Sequence, residues 1–418
     1  MRLRPLKKHK GWSEIITQCP ICGKSGWCAI NDEKDIVRCM RVPSDEYIES
    51  GIGRQYLHYL NPDHLSQIEI EIVHAESVDK RDDEHLNMVY RTLIEEMKLS
   101  SEHLYHLRNI RHLSDHEIAQ RQYRTMPTTE RYKVAQRVLS RFSESTSLLG
   151  VPGFFTQAGN HGSYWSMAGM AGLMIPFHSI KNEIIGWQIR VDEPPLVLDM
   201  EGAIKGEVMR ELEPTPFGMR RARCKLFVQD KEMEVILTEK QEKVCYSKSN
   251  QFVFKVVLKQ GTRYWWWSSG SKDNGSSIGA PVPYHLALPT ACLPYWNIGE
   301  SPEGIIDCSE VWVTEGPFKA DKAAEALQKP VFGLPGIGTY SLILEPLKHL
   351  GCKHIVIAFD ADLIVKPQVQ KTLELCAEFF AKNTDMSMSL ALWDLSLGKG
   401  IDDLLNEGYL PQLSVMLE

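Results

Sequence analysis

The chain has no apolar run long enough to cross a bilayer and no leader-like start, so its 418 residues are expected to fold in a reducing cytoplasm without membrane contact. It has no G-x-x-x-x-G-K-[ST] phosphate loop, which excludes a built-in motor of that class. It also lacks an excess of positive charge: 47 Lys and Arg stand against 54 Asp and Glu, a net charge of −7. A globally basic polyanion binder is excluded, and affinity for nucleic acid has to come from local patches. Candidates are Arg2, Arg4, Lys7, Lys8 and Lys10 near the start, and Arg220, Arg221, Arg223 and Lys225 in the middle. Short basic runs are more often solvated surface than sites. With 43% hydrophobic and 24% charged residues, the chain can bury ample core and should hold two to four domains.

Cysteine is neither scarce nor evenly spread. Four of the ten, Cys19, Cys22, Cys28 and Cys39, fall close together with the spacing C-x2-C-x5-C-x10-C. Four thiolates suit a tetrahedral structural Zn²⁺, and Cys19-Pro20-Ile21-Cys22-Gly23-Lys24 reads as a zinc knuckle. Cys28 falls in a predicted strand, residues 27–30; it is the preferred ligand, with His58 the alternative. The other six cysteines sit in apolar surroundings and read as small buried hydrophobes.

The C-terminal third carries the densest chemistry. Val311-Trp312-Val313-Thr314 runs into Glu315-Gly316, and His354-Ile355-Val356-Ile357-Ala358-Phe359 runs into Asp360-Ala361-Asp362. Three carboxylates therefore stand at the ends of two strands predicted to be parallel. Ligands bind outside the carboxyl ends of strands in open α/β sheets, and carboxylates there suit Mg²⁺ together with substrate phosphates. An Asp-x-Asp alone is more often a solvated turn. Here a helix is predicted over 318–327, a short buried strand over 330–333, a helix over 368–381 with Val369, Leu373, Leu375, Cys376 and Phe379 on its apolar face, and a strand over 390–393. That alternation argues for a parallel sheet with helical crossovers.

Thr314-Glu315-Gly316, Gly333-Leu334-Pro335-Gly336, Asp360-Ala361-Asp362 and Gly398-Lys399-Gly400-Ile401-Asp402-Asp403 resemble the toprim domains shared by DnaG-type primases, topoisomerases and some nucleases. The likeness covers roughly residues 308–410. It implies that Glu315, Asp360 and Asp362 organise catalytic Mg²⁺ or Mn²⁺ and the reacting phosphate, with Lys399, Asp402 and Asp403 completing the rim. Lys319, one helical turn past Glu315, either reaches the phosphates or faces solvent. The chain departs from the pattern at Gly400, where primases of the family carry Asp.

Between cysteines and carboxylates, residues 61–84 read as a linker. A helical period then follows through Leu86, Val89, Tyr90, Leu93, Ile94 and Met97, with a capping box at Ser114-Asp115-His116-Glu117. From Gly150 the texture turns to Gly, Pro and aromatics. A hairpin predicted over 172–177 and 183–190 resembles the element that opens the DnaG-type catalytic core, and Arg263-Tyr264-Trp265-Trp266-Trp267-Ser268-Ser269 resembles a later segment of that core. By this likeness Arg190 and Arg263 face template or nucleotide phosphates, ordinary strand-edge cations being the alternative for Arg263. Residues 195–258 have no counterpart and read as an insertion of amphipathic strands carrying the 220–225 basic cluster.

The expected architecture is multidomain α/β: a zinc-binding ribbon (1–60), a linker and helical module (61–149), a basic β-rich mixed α+β lobe (150–300) and a C-terminal toprim domain (301–418). This order also resembles a group of toprim proteins encoded by plasmids, phages and integrated elements. The resemblance implies a DNA-dependent primase, a nucleotidyltransferase that joins nucleoside triphosphates on a single-stranded DNA template beside a separate replicative helicase. The alternatives are a metal-dependent toprim nuclease using the same carboxylates, and a catalytically weak single-stranded DNA-binding replication accessory factor.

Overall fold

The computed structural model describes residues 1–6, 11–23, 27–50, 53–60, 71–72, 78–144, 147–160, 162–202, 204–228, 231–246, 252–279, 282–361 and 367–417. Lys7, Lys8, Lys10, most of the expected linker and Asp362 lie outside the described residues. Within that linker, Glu71–Ile72 forms a short strand that pairs in parallel with the strand Arg2–Pro5. The chain divides into two compact units: one spans Met1–Gly169, Met174–Gln188 and Trp266–Glu418, the other Met170–Leu173 and Ile189–Trp265.

In the first unit, the N-terminal strands form a sheet in the order Tyr47–Ser50, Gly53–Tyr59, Ile36–Cys39, Ala29–Asn31, Trp12–Ile15, Arg2–Pro5, Glu71–Ile72. Leu3, Ile15, Ile30 and Val37 are buried in it together with Cys19, Cys28 and Cys39. The strand predicted over 27–30 starts later, at Ala29. Trp27 adopts a φ of 70°, so the chain turns immediately before Cys28 and brings that thiol to the sheet end.

The helical module forms as its periodicity requires. The helix Asp83–Glu96 buries Leu86, Val89, Tyr90, Leu93 and Ile94, and the Asp82 side chain accepts from His85 N at 2.9 Å at its start. The helix Asp115–Arg121 opens with the expected box: Glu117 N donates to Ser114 Oγ at 3.2 Å and Ser114 N to Glu117 Oε2 at 2.7 Å.

The C-terminal sheet has the order His285–Ala287, Val331–Leu334, Glu310–Glu315, His354–Ile357, Ser387–Leu392, Gln412–Leu417. Its four inner strands run parallel, with crossover helices Pro317–Leu327, Leu344–His349 and Pro367–Asn383. The two edge strands are antiparallel, so the sheet is mixed rather than purely parallel. The inner strands are near-continuous apolar runs, Val311 to Val313 and Ile355 to Ile357 being buried, as strands covered on both faces must be. One face packs Val311, Val313, Phe332, Ile355 and Ile357 against Leu373, Cys376 and Phe380. The other packs Trp312, Val331 and Val356 against Ala320, Ala323, Ala324, Ile401 and Leu404.

The second unit contains two three-stranded antiparallel sheets, ordered Leu196–Gly202, Phe252–Gln260, Glu242–Tyr246 and Lys205–Leu212, Arg221–Val228, Lys231–Thr238. Residues 195–258 fall wholly within it. Ala222, Cys224 and Leu226 alternate with Arg221, Arg223 and Lys225, the first set buried and the second half-buried. The basic cluster is thus the polar face of one strand, as period-2 geometry dictates.

Candidate functional site

The four thiols converge. All Sγ atoms of Cys19, Cys22, Cys28 and Cys39 lie within 4.8 Å of one another, and Cys22 Sγ and Cys28 Sγ are 3.8 Å apart. A tetrahedron with Zn–S arms of ~2.3 Å has edges of ~3.8 Å, so the donor set and its size fit zinc. Gly23, at φ +66°, closes the knuckle by donating its N–H to Cys19 O at 2.8 Å. Ile21 N points at Cys19 Sγ and Arg41 N at Cys39 Sγ, each at 3.4 Å. The Arg41 guanidinium adds contacts of 3.6 Å to Cys22 and 3.8 Å to Cys28, donors that suit thiolates. Without a cation the neighbouring thiols push Cys28 up. His58 turns elsewhere, its Nε2 lying 2.9 Å from Val42 O.

The second site lies at the carboxyl end of the C-terminal sheet. Val313 pairs with Ile357, so Glu315 and Asp360 emerge side by side two and three residues further on. Glu315 Oε1 accepts from Ile337 N at 3.0 Å. Gly333 keeps this end open, since a Cβ there would stand 2.8 Å from Gly316 O. Lys319 donates to Asp360 Oδ1, and Lys399 Nζ stands 3.4 Å from Asp360 Oδ2. Ala361 N donates to Lys399 O at 2.8 Å, tying the loop after His354–Ile357 to the Gly398-Lys399-Gly400 loop. Lys319 therefore faces the carboxylates and not solvent.

Asp402 is buried at 6% exposure. Its Oδ2 accepts from Arg111 at 3.1 Å, while Oδ1 has no hydrogen-bond partner among the described residues. Asp403 turns back to cap its own helix, accepting from Gly400 N at 3.0 Å. At Gly400 a Cβ would meet Asp402 Oδ1 at 2.3 Å and Lys319 Cε at 2.8 Å; the glycine leaves the space through which Lys319 reaches Asp360. Burial, then the charge of Asp360, raises the pKa of Glu315, with Lys319 opposing. Burial, then Asp403, raises that of Asp402. An all-oxygen donor set with an orphaned buried oxygen suits a hard cation such as Mg²⁺. Among the described residues, however, the cysteines are the only such set of three or more drawn within 4.8 Å.

Two features escaped the sequence, while Gly400 was legible there as a departure. Arg111, from the helical module, holds Asp402 across 291 residues and lies over the Phe318 ring at 5.2 Å. Asp321 is fully engaged in the interior: Arg121 Nη1 donates to its Oδ1 at 2.5 Å, Tyr123 Oη to its Oδ2 at 2.6 Å, and His285 Nε2 lies 3.1 Å from Oδ1. Its own burial would raise its pKa, but Arg121 and His285 hold it down to about 2. A signal existed for Asp321, a charge among the alanines of an otherwise apolar helix face.

Arg190, Arg263 and the 220–225 cluster lie in the second unit. Arg220 pairs with Glu211 at 2.7 Å and Arg223 with Glu234 at 3.2 Å. Arg221 donates to Glu213 O at 3.0 Å, and Arg263 to Gln260 Oε1 at 2.8 Å.

No family model matches this chain, and no curated protein matches it in sequence. Solved structures similar to it include those of DnaG-type primases. The zinc-binding and RNA polymerase domains of the Aquifex aeolicus primase share 11% identity over 97% of this chain and 77% of that one, with a TM-score of 0.46. A DnaG primase catalytic domain bound to single-stranded DNA shares 13% over 78% and 77%, with a TM-score of 0.42. The RNA polymerase domain of Mycobacterium tuberculosis DnaG shares 10% over 78% and 80%, with a TM-score of 0.44. Values this low assign neither activity nor site.

Proposed function

We propose that this protein is a primase-like nucleotidyltransferase of the toprim type, making short primers on single-stranded DNA. The observation that carries the reading is the placement of Glu315 and Asp360 at the carboxyl ends of adjacent parallel strands, with Lys319 and Lys399 on Asp360 and the orphaned Asp402 oxygen beside the Gly398–Gly400 loop. When bound, Mg²⁺ or Mn²⁺ would supply charge neutralisation of the incoming triphosphate and activation of the attacking hydroxyl. Glu315 and Asp360 would hold it, with Asp362 and Asp402 as further ligands. Lys319 and Lys399, which neutralise Asp360, would pass to the phosphate oxygens as substrate enters, so the site exchanges one set of counter-charges for another. Asp403 keeps the Gly398–Gly400 turn in place. The cysteine ribbon would contact the template, Arg190, Arg263 and Arg221 would face phosphates, and strand separation would fall to a separate helicase.

A second reading is favoured by one observation: both Asp360 oxygens are engaged by lysines, which suits a DNA-holding accessory factor with a silent site. A single assay separates the two, with purified protein, single-stranded DNA, labelled nucleoside triphosphates and Mg²⁺ or Mn²⁺. New short labelled products support the primase reading. Shortened DNA contradicts it in favour of a nuclease, and bound but unchanged DNA in favour of an accessory factor.

A further inference from the structure

We propose that a cavity beside the Pro317–Leu327 helix, distinct from the carboxylate site, binds a phosphate-sized oxyanion, either free phosphate or the terminal phosphoryl group of a larger molecule. The proposal does not depend on primer synthesis. The cavity lies within the first unit, has a volume of about 120 Å³ and is lined by Arg91, Arg121, His178, Asn182, His285 and Asp321 among others. None of the residues assigned to nucleotidyl transfer lines it. Its size is near the ~150 Å³ that accommodates benzene, which leaves room for one tetrahedral oxyanion but not for a nucleoside.

The charge balance of the lining selects an anion. Arg91 is half-buried and donates only to neutral acceptors: Nε to Asn87 Oδ1 at 2.9 Å, and Nη2 to Asn182 O and, at 3.2 Å, to Asn182 Oδ1. Among the described residues no hydrogen bond from its Nη1 and no carboxylate at ion-pair distance is found. Burial lowers the pKa of this guanidinium, with the charge of Glu183 opposing from beyond ion-pair distance. Arg121, 5% exposed, is ion-paired to Asp321 through its Nη1 and lies 3.8 Å from Glu325 through its Nη2, yet its buried Nε–H has no partner among the described residues. The only carboxylate in the lining is Asp321, whose oxygens are already taken by Arg121, His285 and Tyr123.

His178 is neutral in this arrangement. His285 Nδ1 accepts from His178 N at 3.2 Å while its Nε2 faces Asp321. His178 Nδ1 faces Asn182 Oδ1 at 3.0 Å; burial, then His285 and Arg91, push its pKa down to about 3. One guanidinium with no carboxylate at ion-pair distance, a second with a spare buried donor and polar walls form an oxyanion cradle, guanidinium being the side chain best matched to such ligands.

The test is calorimetry of the full-length protein with inorganic phosphate and with pyrophosphate in metal-free buffer. The histidine ring resonances of ¹⁵N-labelled protein are followed in the same titrations. The expected result is saturable binding that shifts the His178 signals, an affinity at least tenfold lower in Arg91→Gln, and retained binding in Lys319→Gln. Binding of phosphate assigns the free ion; binding of pyrophosphate alone assigns a terminal phosphoryl group. Absence of saturable binding, unmoved His178 signals, or Arg91→Gln binding like the parent overturns the proposal. Should Arg91→Gln fail to fold, the His178 resonances of the parent decide alone.

Discussion

Glu315 and Asp360 are neighbours with opposite electrostatic histories. Glu315 is buried and close to Asp360, so its folded pKa is raised. A raised carboxyl pKa means that the fold holds the proton more tightly than the unfolded chain does. Its stabilising contribution is therefore complete below the ordinary glutamate value and is lost as pH rises through the folded value. In metal-free buffer Glu315→Gln should equal or exceed the parent in melting temperature at neutral pH and flatten this decline, because an amide oxygen still accepts from Ile337 N. Asp360 is held by Lys319 and Lys399, so Asp360→Asn should cost roughly 1–3 kcal/mol, a discounted form of breaking a buried pair. Melts of both variants across pH check this, and the reverse order of stability would mean that Glu315 is the structural carboxylate. The sequence placed both residues at strand ends, since an apolar run ending in an acid is a local pattern. It could not reveal the lysine pairing, because Lys319 and Asp360 are 41 residues apart.

At the scale of elements, the ribbon depends on its cysteines. Zinc binding in small modules is worth on the order of 10 kcal/mol, so the protein should carry one zinc, and chelation should unfold the 1–60 sheet. Cys28→Ser should lose the metal and His58→Ala should keep it, read by elemental analysis; zinc retained in the first and lost in the second would reverse the ligand assignment. Cysteine spacing made the cluster legible, but only the φ of Trp27 explains how Cys28 enters it. The basic strand behaves differently. If Arg221, which among the described residues meets only the Glu213 carbonyl, touches the template, then Arg221→Gln should take ~0.7 from the log-log salt slope of single-stranded DNA binding. Arg220→Gln and Arg223→Gln, already paired with glutamates, should take less. Equal slopes for all three variants and the parent would place the strand away from DNA.

At the scale of the molecule, the alternation of strands and helices after Glu310 foretold the C-terminal sheet, because inner strands covered on both faces are apolar throughout. The helical module read as a separate block, since nothing local in Arg111 or Arg121 signals partners 291 and 200 residues away. Both side chains tie it to residues of the C-terminal sheet region, Asp402 and Asp321. Asp321→Ala should strand the buried Arg121 charge and cost about 3–5 kcal/mol, seen as a loss of denaturant midpoint at unchanged m-value; a change under 1 kcal/mol would show the pair to be dispensable. The central claim is that the carboxylates at the sheet end perform metal-dependent nucleotidyl transfer. Its most direct test is primer synthesis on single-stranded DNA by the parent, Glu315→Gln and Asp360→Asn, each confirmed folded. The account predicts short products from the parent with Mg²⁺ or Mn²⁺ and a loss of at least 100-fold in either variant, on the order expected when a transition-state charge clamp is removed. Product formation by both folded variants at the parent rate would contradict it.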